Sequence, residues 1–180
     1  MGTVLFFRGS PPKLRTVPIF SRHRFFAGFP RFLILFLCAD QWLKWLVQTR
    51  MTPGETIPLL PFLYVTYVRN TGAAFGLLRG AGPLLILVSV AVILVLASSL
   101  RRDASSAATD GPSRCQRYGM MLILGGAAGN LMDRVRLGYV VDFVDLRVWP
   151  VFNLADSAIT VGIGLLLWGM VWKQEAGKRK

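Results

Sequence analysis

Residues Gly125–Gly162 read GGAAGNLMDRVRLGYVVDFVDLRVWPVFNLADSAITVG, and this stretch decides the fold. It begins in small residues able to pack closely and ends in an apolar run. Between them lie Asp133, Asp142, Asp145 and Asp156, four of the nine acidic residues in the chain. Asp142 and Asp156 sit beside apolar segments rather than in a polar loop. A carboxylate at the edge of a membrane segment is costly to keep, and so marks a candidate functional site. The expectation is that Asp142 and Asp156, fourteen positions apart, form a pair at one face of a membrane.

Working outward, the surroundings are those of a membrane protein. Of 180 residues 53% are hydrophobic and 17% charged, with mean hydropathy +0.50. Soluble domains are about 45–50% apolar and about a quarter charged. Leu84–Leu100 carries no charge, and Val151–Trp172 carries only Asp156. A bilayer crossing needs roughly 20 mostly apolar residues. Four spans are expected: Phe32–Val47, Leu84–Leu100, Tyr118–Val135 and Asn153–Trp172. Residues 1–31 form a basic extension, 32–172 the membrane domain and 173–180 a basic tail. Residues 1–31 show no sustained helical pattern. No small-x-small cleavage site follows Phe32–Cys38, so the first span is expected to stay uncleaved.

The net charge of +12 is placed unevenly. Residues 1–31 hold six Lys/Arg, 101–117 four and 173–180 four, whereas 49–83 and 133–152 hold three each. That asymmetry follows the positive-inside rule. It puts both termini in the cytoplasm and argues against nucleic acid as the partner. Cys38 lies in the first span and Cys115 in a basic loop, at different depths, which argues against a disulfide. With one histidine, His23, no metal cluster is expected.

The polar residues collect at the outer ends of the spans. Asp40 and Lys44 are four apart on one helix face, acid before base, a favourable order for an ion pair. Phe62–Val68 is aromatic and β-branched and reads as a strand. It leads into Asn70-Thr71-Gly72-Ala73-Ala74-Phe75-Gly76, where small residues allow close backbone approach. Gly125, Gly126 and Gly129 give the third span a close-packing face. Asn130 and Arg134 share a face at its outer end, with Arg134 expected to hold the Asp142 segment or balance its charge. Gly138 allows a turn. Asn153, Asp156 and Thr160 make one polar stripe on the last span. The Ser/Ala/Gly-rich stretch from Arg101 to Arg117 reads as a flexible loop.

With no histidine at that face, the available chemistry is two carboxylates supported by amides and an arginine. Two close carboxyl groups cannot both ionise easily. One keeps a proton and the other can take one from water. A proton relay in a small multi-pass transporter subunit is the alternative. It would be expected to bring internal repeats and polar groups near the midplane, and neither is present. A scaffold protein with purely structural ion pairs is a third reading.

Five motifs in order resemble the lipoprotein signal peptidases, or signal peptidase II. They are DQWLK at Asp40–Lys44, NTGAAFG at Asn70–Gly76, GGAAGNLMDR at Gly125–Arg134, VVDF at Val140–Phe143 and FNLADS at Phe152–Ser157. The resemblance covers nearly everything from Phe32 to Trp172. It implies a mainly α-helical membrane protein, a four-helix bundle with a small extracytoplasmic β-element and an amphipathic segment. It implies an aspartic endopeptidase of the bacterial cytoplasmic membrane that cuts diacylglyceryl-modified prolipoproteins just before the lipid-bearing cysteine. The implied catalytic pair is Asp142 and Asp156. The implied supporting positions are Asp40, Lys44, Asn70, Gly72, Asn130, Arg134 and Asn153. The enzyme would work as a monomer, without metal or other cofactor, in contact with membrane lipid, and globomycin-type macrocycles would block it. The extension at residues 1–31 is longer than the usual start of that family.

Overall fold

A computed structural model describes residues 22–72, 82–105 and 112–178; side chains are described within 31–72, 82–103 and 112–172. The order is α1 (Arg22–Arg50), β1 (Thr56–Leu60), β2 (Leu63–Asn70), α2 (Gly82–Ser105), α3 (Arg114–Leu137), β3 (Val140–Asp145) and α4 (Leu154–Lys178). Within α2 and α4, Gly82–Asp103 and Leu154–Trp172 are long and apolar enough to cross a membrane. The other two expected spans are helices too, but α1 carries Asp40, Gln41 and Lys44, and α3 carries Asn130, Asp133 and Arg134. Those side chains turn inward, so neither helix is apolar throughout.

Small residues set the helix packing. An added Cβ on Gly119 would come within 2.6 Å of the Gly162 carbonyl, and one on Gly162 within 2.7 Å of the Gly119 carbonyl. Gly126 lies equally tight against Ala155. The small-residue face is in fact divided. Gly119 and Gly126 face α4, Gly125 faces Phe36 and Leu33 of α1, and Gly129 faces the Asp40 carboxylate. Backbones can approach this closely only where no side chain intervenes. The Asp103 and Arg117 side chains join α2 to α3, with Arg117 Nε 2.6 Å from Asp103 Oδ2.

The strands form one antiparallel sheet in the order β1-β2-β3. The expected strand at Phe62–Val68 is β2, shifted to include Asn70. β1 and β3 were not expected. Val140, Val141 and Val144 suit a strand, but both faces of β3 are covered, so its sequence lacks the apolar–polar alternation that would reveal it. Val141, Phe143 and Tyr67 form a core with Val47 and Met51 at the end of α1.

Other expectations change at the helix ends. α1 starts at Arg22 rather than Phe32 and runs through Pro30. The supposed loop from Arg101 to Arg117 is helical at both ends. Ser113 caps α3, its hydroxyl accepting Gln116 N while the Gln116 side chain accepts Ser113 N. Cys115 therefore lies in the first turn of α3 rather than in a loop. Gly138 ends α3 at φ 79°, in the left-handed region that favours glycine. The amphipathic segment expected after β2 and residues 73–76 of the NTGAAFG motif lie outside the described residues.

Candidate active site

Three local features bring the polar residues together. The first is the β2–β3 register, which pairs Asn70 with Val140 and Val68 with Asp142. Asn70 is thus diagonal to Asp142 on the same face, within side-chain reach. Asn70 Nδ2 donates to Asp142 Oδ2 at 2.9 Å, and Asn70 Oδ1 accepts Gly72 N at 3.0 Å.

The second feature closes the loop after β3. Phe152 N donates to the Val144 carbonyl at 3.0 Å, and Val144 N donates to the Phe152 carbonyl at 2.7 Å. This returns Asn153 to the side of Asp142. Asn153 Nδ2 donates to Asp142 Oδ1 at 2.7 Å and reaches Asn130 Oδ1 at 3.1 Å. Asn153 is not part of a helical stripe, as expected from its spacing, but the cap of α4. Its Oδ1 accepts Asp156 N at 2.9 Å, and Asp156 Oδ2 accepts Asn153 N at 3.3 Å. Asn130 Nδ2 completes the bridge by donating to Asp156 Oδ1 at 2.8 Å. Both aspartates therefore accept an N–H at each oxygen. Asp156 also sits in the first turn of α4, where the helix dipole suits a negative charge.

The third feature is a buried ion cluster behind them. Lys44 Nζ lies 2.8 Å from Asp40 Oδ2 and 3.0 Å from Asp133 Oδ2, and donates to Asn130 Oδ1 at 3.1 Å. Asp40 and Lys44 are 0% and 1% exposed. Asp40 Oδ1 accepts Ala155 N, a donor that the first turn of α4 would otherwise leave free. Asp133 Oδ2 accepts Val141 N at 3.2 Å, and Gln41 Nε2 donates to Asp133 Oδ1 at 2.9 Å. The cluster joins α1, α3, β3 and α4, the elements that carry or flank the two aspartates. Gln41 and Asp133 had been given no role in the sequence reading. Their pairing depends on α1 meeting α3, which residue spacing does not report.

In front of the aspartates is a cavity of about 710 Å³. Asp142, Asp156, Asn70, Gly72, Asn130 and Arg134 line it. Asn153, Asp40 and Lys44 do not; Asn153 and Lys44 bond to residues that do, and Asp40 holds Lys44 and the first turn of α4. Arg134 Nη2 donates to the Gly72 carbonyl at 3.3 Å rather than holding the Asp142 segment. It thus fixes the backbone beyond β2 at the cavity wall. Trp149, Pro150 and Thr160 line the cavity as well. Burial, and next the charge of Asp156, push the Asp142 carboxyl up to about 7, against the pull of the Asn70 and Asn153 hydrogen bonds and of Lys44.

A family model described as Signal peptidase (SPase) II matches residues 32–172. The chain belongs to the signal peptidase II family. A lipoprotein signal peptidase of Moorella thermoacetica is 44% identical over 139 residues, 77% of this chain and 89% of that protein. One from Halothermothrix orenii is 42% identical over 144 residues, 79% and 94% respectively. Among solved structures, a bacterial membrane enzyme determined by the in meso method at 2.3 Å superposes with TM-score 0.77 at 28% identity, covering 87% of this chain and 94% of that one. A second, at 1.9 Å, gives 0.70 at 29% identity, with 81% and 94% covered. Membership of the signal peptidase II family makes this chain a bacterial membrane peptidase. It leaves the transporter alternative without support.

Proposed function

We propose that this chain is an aspartic endopeptidase that removes the signal peptide from diacylglyceryl-modified prolipoproteins, cutting just before the modified cysteine. The observation that carries the reading is the placement of Asp142 and Asp156 on one cavity wall, linked through Asn153 and Asn130. The surrounding charge supports one shared proton. Asp40, Asp133, Asp142 and Asp156 stand against Lys44 and Arg134, so a fully ionised set would carry excess negative charge. With Asp142 pushed up to about 7 by burial and by the charge of Asp156, the single proton at rest belongs to the pair.

In the reaction, the ionised carboxylate takes a proton from a water molecule held between the two groups. The water oxygen bonds to the scissile carbonyl carbon, and the protonated carboxyl donates to the carbonyl oxygen. The tetrahedral intermediate then collapses. A proton passes to the amide nitrogen, the C–N bond breaks, and the pair regains its starting single proton. Asn70, Asn130 and Asn153 hold the carboxyl oxygens in place, so little reorganisation is needed. Gly72, fixed by Arg134, leaves backbone free to approach the peptide.

Four membrane spans with both termini cytoplasmic suit this substrate. A signal peptide enters basic end first, so its cleavage point comes near the outer face, where the positive-inside count puts the cavity. The acyl chains of the modified cysteine would then stay in lipid. The enzyme acts as a monomer and is blocked by globomycin-type macrocycles.

The test is cleavage of a diacylglyceryl-modified prolipoprotein by purified protein in detergent. Wild type should cleave, and Asp142→Asn and Asp156→Asn should each lose nearly all turnover while staying folded. Normal turnover in both variants would remove the dyad. Equal cleavage of unmodified substrate would remove lipid recognition.

A further inference from the structure

The dyad leaves unexplained the most apolar surface outside the helices. Residues 57–62 read IPLLPF, with no charged or hydrogen-bonding side chain. They form most of β1, the edge strand of the sheet, and the turn into β2. Ile57, Leu59, Leu60 and Phe62 are 41%, 57%, 50% and 66% exposed. In water, an exposed apolar edge strand is an aggregation site. The root of the same hairpin is polar. Thr52 N and Oγ1 both donate to Glu55, at 2.7 and 3.0 Å, and the Thr56 and Thr66 hydroxyls pair at 3.1 Å. Polarity therefore changes along the length of the hairpin, from wet root to greasy tip.

Its depth follows from α1. The hairpin folds back along that helix, leaving an apolar groove of about 340 Å³. Leu43, Leu46 and Val47 of α1, Leu59 and Leu63 of the hairpin, and Phe143 of β3 are among its lining residues. Leu43 precedes Arg50, the last residue of α1, by seven positions, about 10 Å at 1.5 Å rise per residue. The tip thus lies beside the last two turns of the helix, not beyond its end. The same turns expose Trp42 and Trp45, the ring type that collects at a membrane boundary. A sheet edge in hydrocarbon is costly for each unpaired N–H. Pro58 and Pro61 have none, which lowers that cost.

We infer that the β1–β2 hairpin is a lipid-embedded foot, its tip in the acyl layer of the leaflet beside the sheet and its groove filled by an acyl chain of a bilayer phospholipid. The occupant follows from continuity, because the groove lies against the same stretch of α1 that exposes Trp42 and Trp45. The inference rests on membrane residence and not on the peptidase reading. Its consequence concerns the site all the same. β3, which carries Asp142, is the third strand of the same sheet, so the foot sets the height of that carboxyl relative to the bilayer.

The experiment uses the full chain in phosphatidylcholine–phosphatidylglycerol vesicles and needs no cleavage readout. In a background with Cys38→Ser and Cys115→Ser, bimane is attached to Leu60→Cys at the tip and, separately, to Thr56→Cys at the root. Lipids brominated along the acyl chain should quench the tip label several-fold more than the root label, and iodide should do the reverse. Equal quenching of both labels by iodide would place the hairpin in water and overturn the inference. The wild-type chain, with no substitution to disturb folding, is then irradiated with a phospholipid bearing a diazirine in its acyl chain. Adducts within residues 43–47 and 57–65 are expected. Adducts confined to α2 and α4, or chain-to-chain crosslinks through the hairpin, would overturn the acyl-chain assignment, the latter in favour of a second copy.

Discussion

Replacing Asp142 with asparagine should abolish cleavage and yet stabilise the protein at alkaline pH. The ordinary aspartate value is 3.8, and in the fold Asp142 is pushed up to about 7. Between those values the unfolded chain has released the proton and the folded chain still holds it. Stability therefore falls as pH rises from about 4 to about 7, by up to about 1.4 kcal/mol per pH unit. The full cost, in place above pH 7, is at most about 4 kcal/mol. Asparagine at this position carries no such cost. It loses one of the two amide donors now held by the carboxylate, from Asn70 or Asn153, worth about 1 kcal/mol. Asp142→Asn should then exceed wild type by about 1–3 kcal/mol at pH 8 and lose that advantage by pH 4. Thermal unfolding of both proteins in one detergent at the two pH values measures the difference. A gap that does not change with pH, or a variant less stable than wild type at pH 8, would refute the account of a carboxyl held under electrostatic strain.

The same proton predicts the pH dependence of turnover, whose alkaline limb should fall near pH 7 as the shared proton leaves the pair; a rate flat from pH 6 to pH 9 would contradict a one-proton dyad. Lys44→Met leaves Asp40 and Asp133 buried without their cation and should cost about 3–5 kcal/mol at neutral pH, read by thermal unfolding, with part of the loss recovered in acid. Gly162→Ala drives a methyl group into the Gly119 carbonyl and should cost about 1–3 kcal/mol, while Gly164→Ala, with nothing within 4 Å of the added carbon, should be neutral or slightly stabilising in the same assay. Asn153→Ala removes both the α4 cap and a donor to Asp142, so stability should drop by about 1–2 kcal/mol and kcat should fall far more than KM changes.

Chain chemistry alone determined a good deal. Uncharged runs such as Leu84–Leu100 pointed to a membrane protein, in agreement with the family the chain belongs to. The Asp40–Lys44 pair was legible from its spacing, because four residues are one helical turn. The sequence also narrowed the chemistry to carboxylates, amides and an arginine. Tertiary structure decided the rest, for reasons local pattern cannot carry. β3 is covered on both faces, so its side chains show no alternation. Asn153 became a cap rather than a helical residue because the Phe152–Val144 bridge turns the chain there. Arg134 chose the Gly72 carbonyl over the Asp142 segment, and Gln41 found Asp133 across two helices. The last two contacts join residues 62 and 92 positions apart, and a sequence names the donors and acceptors without stating which of them folding brings into hydrogen-bonding distance.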